Sequence, residues 1–308
     1  MLQLYRAIWR VSGRRQIILI LLSLAIAGLA AAPLHFQKEI VNLLTKGSYG
    51  VSQLFTLGAG MMGVVLLSLG FKWLMGYRSQ ILGEDVIRLI RKRLLEDSAG
   101  GGRDRAKIPT GTLSTAISAE AEELGKFTGS AFSEPVMQIG TLISVVGFVA
   151  STQPGLGIIA FSIIAPQVLI VLLTQRKVNV LLAERIRVLR RATDQITATE
   201  LDAIVQTVFQ EFDRIYQVRQ SMFKWKLSTK FLLSAINGAG TVAVFMIGGV
   251  LVLEGRTDVG TVVAATMGLS RLNGPTAFLI SFYRQVSANR VKFELLRGLI
   301  NPNQSETA

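Results

Sequence analysis

Apolar positions along this chain gather into six long runs, at residues 17–36, 54–75, 135–152, 156–174, 231–253 and 259–282. Each is close to the ~20 residues that a helix needs to cross the hydrocarbon core of a bilayer. After the second and fourth runs the pattern changes to apolar residues at helical spacing among charged ones. Ile90, Leu94 and Leu95 sit among Arg91, Lys92, Arg93, Glu96 and Asp97, while Val180, Leu181, Ile186, Leu189 and Ile196 recur in a stretch without proline. The first pattern predicts a helical hairpin descending over 72–97 and returning over 111–134, and the second predicts two long helices with a break. Helices that continue some 25 residues past the membrane reach roughly 35–40 Å beyond it. Such helices, polar on one face and apolar on the other, pack against each other or await a partner. The expected fold is therefore an all-α membrane protein with six transmembrane helices and long cytoplasmic helical extensions.

Composition agrees with membrane insertion. Half of the 308 residues are hydrophobic and 17% are charged, and the mean hydropathy of +0.45 exceeds that of soluble domains. Charge then sets an expected orientation, because Lys and Arg of short loops are retained on the cytoplasmic side. Arg6, Arg10, Arg14 and Arg15 precede the first run, and the two long excursions hold most of the other basic residues. The remaining loops carry few: Lys38 and Lys46 in one, none in "STQPG", and Arg256 against Glu254 and Asp258 in the third. Both termini are expected in the cytoplasm, most simply beneath a bacterial inner membrane. The net charge of +13 then reflects topology and contact with anionic head groups, with no need for a nucleic-acid partner. The basic start, the run "IILILLSLAIAGLAAAP" and the small residues Ala30 and Ala32 also imitate a cleavable signal. Its length favours a retained first span.

Candidate chemistry is sparse. The stretch "SAGGGRDRAKIPTG" places three glycines near Arg and Lys, but a phosphate-binding P-loop follows a strand and reads GxxxxGK[ST]. Here Lys107 is followed by Ile108, and a helical pattern precedes the glycines, so a turn between helices is expected. The absence of cysteine removes disulfides and thiolate metal sites, and a single histidine, His35, removes His-based metal sites and a Ser-His-Asp triad. No cofactor is expected in this chain, nor enzymatic activity of its own.

Several stretches together resemble the six-helix transmembrane domain of ATP-binding-cassette exporters, over nearly the whole chain. "LYRAIWRVSGRRQ" resembles the interfacial elbow helix that precedes the first span, with Tyr5 and Trp9 suited to the interface. "IRKRLLEDSAGGGRDRAKIPTGTLSTAISAEAEEL" resembles the first intracellular loop, with its Thr-Gly-x-Leu-Ser turn at Thr110, Gly111, Leu113 and Ser114, and Glu120 or Glu122 near the usual aspartate. "TATELDAIVQTVFQEFD" resembles the second loop, with Glu200 at the family's glutamate and Ala203 where glycine is common. "LNGPTAFLISFYRQVSANRVKFELLRGL" resembles the last span and its exit, with Pro275 at the family's proline. The implied domains are an elbow at 1–15, the transmembrane domain at 16–300 and a polar tail at 301–308.

What the resemblance implies is a permease in a homodimer or a heterodimer with a related subunit, driven by a cytoplasmic ABC ATPase that carries ATP and Mg. The residues it would bring to the ATPase are Gly101, Gly102, Arg103, Asp104 and Arg105 at the first tip, and Glu200, Ala203 and Phe209 at the second. The first tip is small and charged where exporters generally have aromatic or proline-containing sequence. No Walker A lysine or LSGGQ signature precedes the final "INPNQSETA". Three readings follow: an exporter subunit served by a separate ATPase, a scaffold or regulator that keeps the fold without ATP coupling, or a truncated sequence. An ion-coupled transporter or channel ranks last, because few carboxylates fall within the apolar runs. Arg271 and Asn273 in the sixth run are candidates for the transport path, since ionisable groups at membrane depth face a cavity or a partner. For Arg271 a structural ion pair or a helix-to-helix hydrogen bond competes equally. Asn237 and Gln138 are candidates too, with interhelical hydrogen bonding the favoured role.

Overall fold

The computed structural model describes residues 2–46, 50–99, 114, 116–198 and 201–300. Among them the elements are helical: α1 (Leu2–Leu29), α2 (Ala32–Lys46), α3 (Val51–Ala99), a π-helical turn (Ala116–Glu120), α4 (Ala121–Ser130), α5 (Ser133–Thr152), α6 (Pro154–Ala198), α7 (Leu201–Leu253) and α8 (Val259–Ile300). Five stretches of the described residues are long and apolar enough to cross a membrane: Leu2–Thr45, Val51–Glu96, Ala116–Thr152, Pro154–Leu182 and Phe209–Leu253. They contain the first five predicted runs. The sixth run lies inside α8, an unbroken helix of 42 residues whose Arg271, Asn273 and Pro275 dilute its apolar character.

The helices form two compact units, Met1–Gln153 with Gly255–Ala308, and Pro154–Glu254. In the first, Leu19 and Ile26 of α1 pack on Met75, Leu82 and Val86 of α3. A second cluster joins Leu4 and Ile8 of α1, Leu94 of α3, Leu124 and Phe127 of α4 and Val286 and Leu296 of α8. Gln16 is fully buried between α1 and α4, where its Nε2 donates to the Thr128 carbonyl at 2.8 Å. Tyr5 and Trp9 turn edge-on to Phe132, with ring centroids 5.2 and 5.6 Å apart. The predicted elbow over 1–15 is not a separate element here. From Leu2 it belongs to α1 and continues without a break to Leu29.

The predicted return limb over 111–134 also differs from the structure in its described part. It begins as a π-turn and is interrupted between Ser130 and Ser133. Pro135 accounts for that interruption: it has no N–H to give the Ala131 carbonyl, and its ring crowds that carbonyl in a continuous helix. The limb is held to α3 by close backbone contact. A Cβ on Gly129 would lie 2.3 Å from the Ser79 carbonyl oxygen, and one on Gly125 would lie 2.8 Å from that of Gly83. Ion pairs along this surface join Arg91 to Glu122, Glu123 to Lys292 of α8, and Arg15 of α1 to Asp85 of α3.

At the far end of the same unit, Asp258 caps α8. Its Oδ1 accepts from the Thr261 backbone N–H at 2.7 Å, and Lys38 stands 3.8 Å away. Burial raises the Asp258 pKa, but hydrogen bonds from Asn42 and Thr261 and the charge of Lys38 outweigh it and bring the carboxyl below its ordinary value. Asn42 also accepts from the Gly260 N–H at 2.9 Å, which ties α2 to the start of α8.

The second unit is the antiparallel pair α6 and α7. Val178 packs against Val218 and Met222. Thr229 donates to Thr174 at 3.0 Å, and Arg214 pairs with Glu184 at 3.2 Å.

Candidate functional site: a cationic cavity in the membrane domain

The site begins with a proline. Pro33 would sit one turn into a continuation of α1, and it has no N–H for the Leu29 carbonyl, so α1 stops at Leu29 and α2 starts at Ala32. The chain re-forms its hydrogen bonds around Ala31, whose carbonyl accepts from Leu34 N–H at 2.9 Å and His35 N–H at 3.2 Å. In an unbroken helix Leu34 N–H would serve Ala30 instead. The Ala30 carbonyl is released, and a buried or membrane-embedded carbonyl must find another donor.

That donor is Arg271. Its Nη1 reaches the Ala30 carbonyl at 3.2 Å from α8. The approach of α8 is close because Gly268, one turn earlier, lets Val145, Val149 and Leu34 come within 3.4 Å of where a Cβ would be. Arg271 thus makes a helix-to-helix hydrogen bond and also lines a cavity of about 380 Å³. Ile26, Leu29, Val65, Leu69, Met137 and Val145 supply its apolar wall, and Lys72, Gln138, Thr141 and Ser68 supply polar groups. Its lining holds two cations and no carboxylate. Among the described residues Lys72 has no ion pair and Gln138 no hydrogen bond. Pro275 also lines the cavity, within an α8 that stays helical through it.

The other candidates fall elsewhere. Asn273 is exposed on α8 and makes no hydrogen bond among the described residues. Asn237 belongs to the second unit, where its Oδ1 accepts from Gln167 Nε2 at 2.7 Å, an interhelical bond between α6 and α7. Gly101, Gly102, Arg103, Asp104, Arg105 and Glu200 lie outside the described residues, as do Thr110, Gly111 and Leu113 of the first loop. Ala203 is within α7. Phe209 is 55% exposed, and Phe212 and Tyr216, not singled out from the sequence, are exposed at the i+3 and i+7 positions from it. That spacing was the available signal, since it puts three aromatics on one side of a charged helix. Lys72 was also missed as a site residue, although a lone cation inside an apolar run is itself a signal.

No curated protein matches the chain. The family model described as the ABC transporter transmembrane region matches residues 16–276. Those residues include α1 from Gln16 onward, α2 through α7, the released Ala30 carbonyl, Arg271 and Pro275. The chain is an integral membrane protein, and it belongs to the ABC transporter transmembrane region family.

Proposed function

We propose that this chain is the permease subunit of an ABC-type exporter, which moves its substrate by alternating access driven by an ATPase partner. The observation that carries the reading is helix length within the family match. Helices α3, α6, α7 and α8 have 49, 45, 53 and 42 residues, or roughly 60–80 Å at ~1.5 Å each, about twice the hydrocarbon thickness. Rigid helices of that length can carry a displacement at a membrane-distal end into the membrane. Exposed Phe209, Phe212 and Tyr216 near the start of α7 supply an apolar contact for a soluble partner. The working unit is a dimer, with a second copy or a related membrane subunit, and both termini face the cytoplasm.

The test is purification in mild detergent from native membranes, with mass spectrometry of co-purifying subunits and an ATPase assay. A stoichiometric nucleotide-binding protein with activity supports the exporter. A pure dimer without ATPase activity overturns coupling and leaves a scaffold.

A further inference from the structure

We infer that the cavity beside Arg271 takes an amphipathic anion, an acidic head group (phosphate, sulfate or carboxylate) on an apolar body. The inference rests on the permease reading and supplies a substrate class for it. Charged side chains at membrane depth are costly and are found paired or in a wet cavity. Lys72 and Arg271 line one cavity with no carboxylate among the lining residues, so their charges are not balanced from within its wall. Arg271 uses one nitrogen, Nη1, on the Ala30 carbonyl, which fixes the guanidinium while the rest of its donor fork remains for a ligand. A helix break therefore does two things at once: it frees a carbonyl, and that carbonyl orients a cation into the cavity. Gln138, Thr141 and Ser68 add neutral hydrogen-bonding groups to the same lining, and Leu29, Val65, Leu69 and Val145 offer the apolar body a surface.

Two sources present the same chemistry: an anionic bilayer lipid, and a single-chain anion delivered from the cytoplasm. Both combine an acidic head with an apolar tail, as the mixed cationic and apolar lining requires.

Dodecyl phosphate is the probe. It is titrated into the full-length protein in dodecyl maltoside, and bound adducts are counted by native mass spectrometry. Dodecanol and dodecyltrimethylammonium, with the same chain and no negative charge, serve as comparisons. The expected result is saturable binding of dodecyl phosphate alone, weakened about tenfold or more in Lys72→Gln and in Arg271→Gln, and partly restored in Arg271→Lys. Lys72→Gln removes an exposed charge and stands independently of any folding defect in Arg271→Gln. Equal binding of the uncharged or cationic analogue, or undiminished binding in Lys72→Gln and Arg271→Gln, overturns the inference. Competition by phosphatidylglycerol assigns the site to a bilayer lipid, and binding that survives it assigns the site to a single-chain anion. The measurement needs no ATPase. Failure here leaves the permease reading standing, and an isolate without ATPase leaves the binding result standing.

Discussion

At the scale of single residues, the strongest link is the one between Pro33 and Arg271, which lie in different helices and meet only through a backbone oxygen. Replacing Arg271 with Met leaves the Ala30 carbonyl without its side-chain donor, and Arg271→Lys retains a charge but not the fork. A lost bond to a charged donor in a partly exposed position costs about 1.5 kcal/mol, the lower end of its usual range. Thermal unfolding in one detergent should place Arg271→Met clearly below the parent and Arg271→Lys between them. A parent-like melting temperature for Arg271→Met would show that water already satisfies Ala30. Arg271 was legible in the sequence because a cation stands out in an apolar run, and Asn237 was legible as a helix-to-helix bond for a similar reason. The Ala30 carbonyl was not, since a backbone oxygen has no signature until the break beside it is known. Lys72 stands inside its apolar run and so carried a signal, but which cavity it lines emerged only from packing.

At the scale of elements, two glycines differ in what a methyl group would meet. Gly129 brings α4 against the backbone of α3, and a methyl there would meet the Ser79 carbonyl at 2.3 Å, whereas Gly147 on α5 faces open space. Gly129→Ala should therefore destabilise by about 1–3 kcal/mol as the helices separate. Gly147→Ala should be neutral or stabilising by up to ~1 kcal/mol through helix propensity. Equal melting temperatures for the two variants would contradict this packing. The cap at α8 gives a pH-dependent prediction. Because the Asp258 carboxyl is lowered in the folded state, its contribution is complete above the ordinary carboxylate pKa and is lost as pH falls through the lowered value. Asp258→Ala should cost about 0.5–2 kcal/mol at pH 7, as removal of an N-cap does, and the gap to the parent should close in acid. A gap that stays constant from pH 7 to pH 3 would remove Asp258 from that role. The helical spans were readable from hydropathy because membrane-spanning helices hold their hydrogen bonds within themselves. The interruptions at Ala30 and Ala131 were harder to read, since Pro166 and Pro275 lie inside helices that continue through them. A proline marks a possible break, and tertiary packing decides whether it occurs.

At the scale of the whole molecule, orientation is the property on which the cavity, the helix extensions and any ATPase contact jointly depend. It was inferred from the distribution of Lys and Arg alone. The chain lacks cysteine, so each introduced thiol is the only one present and can be probed without background. Arg10 and Gln210 are exposed at predicted cytoplasmic positions, and Ser52 and Gly155 are exposed on the opposite side of the predicted spans. In sealed right-side-out vesicles, a membrane-impermeant maleimide should label Ser52→Cys and Gly155→Cys but not Arg10→Cys or Gln210→Cys. Inverted vesicles should give the reverse. Gly155 and Gln210 bound the helices of the second unit, so labelling of both from one side would mean that α6 and α7 do not cross as read. Exchange of all four would turn the molecule over, and would place Phe209, Phe212 and Tyr216 where no cytoplasmic ATPase can reach them. The predicted pattern leaves the long ends of α3, α6, α7 and α8 on the side where ATP is present, as a permease driven from the cytoplasm requires.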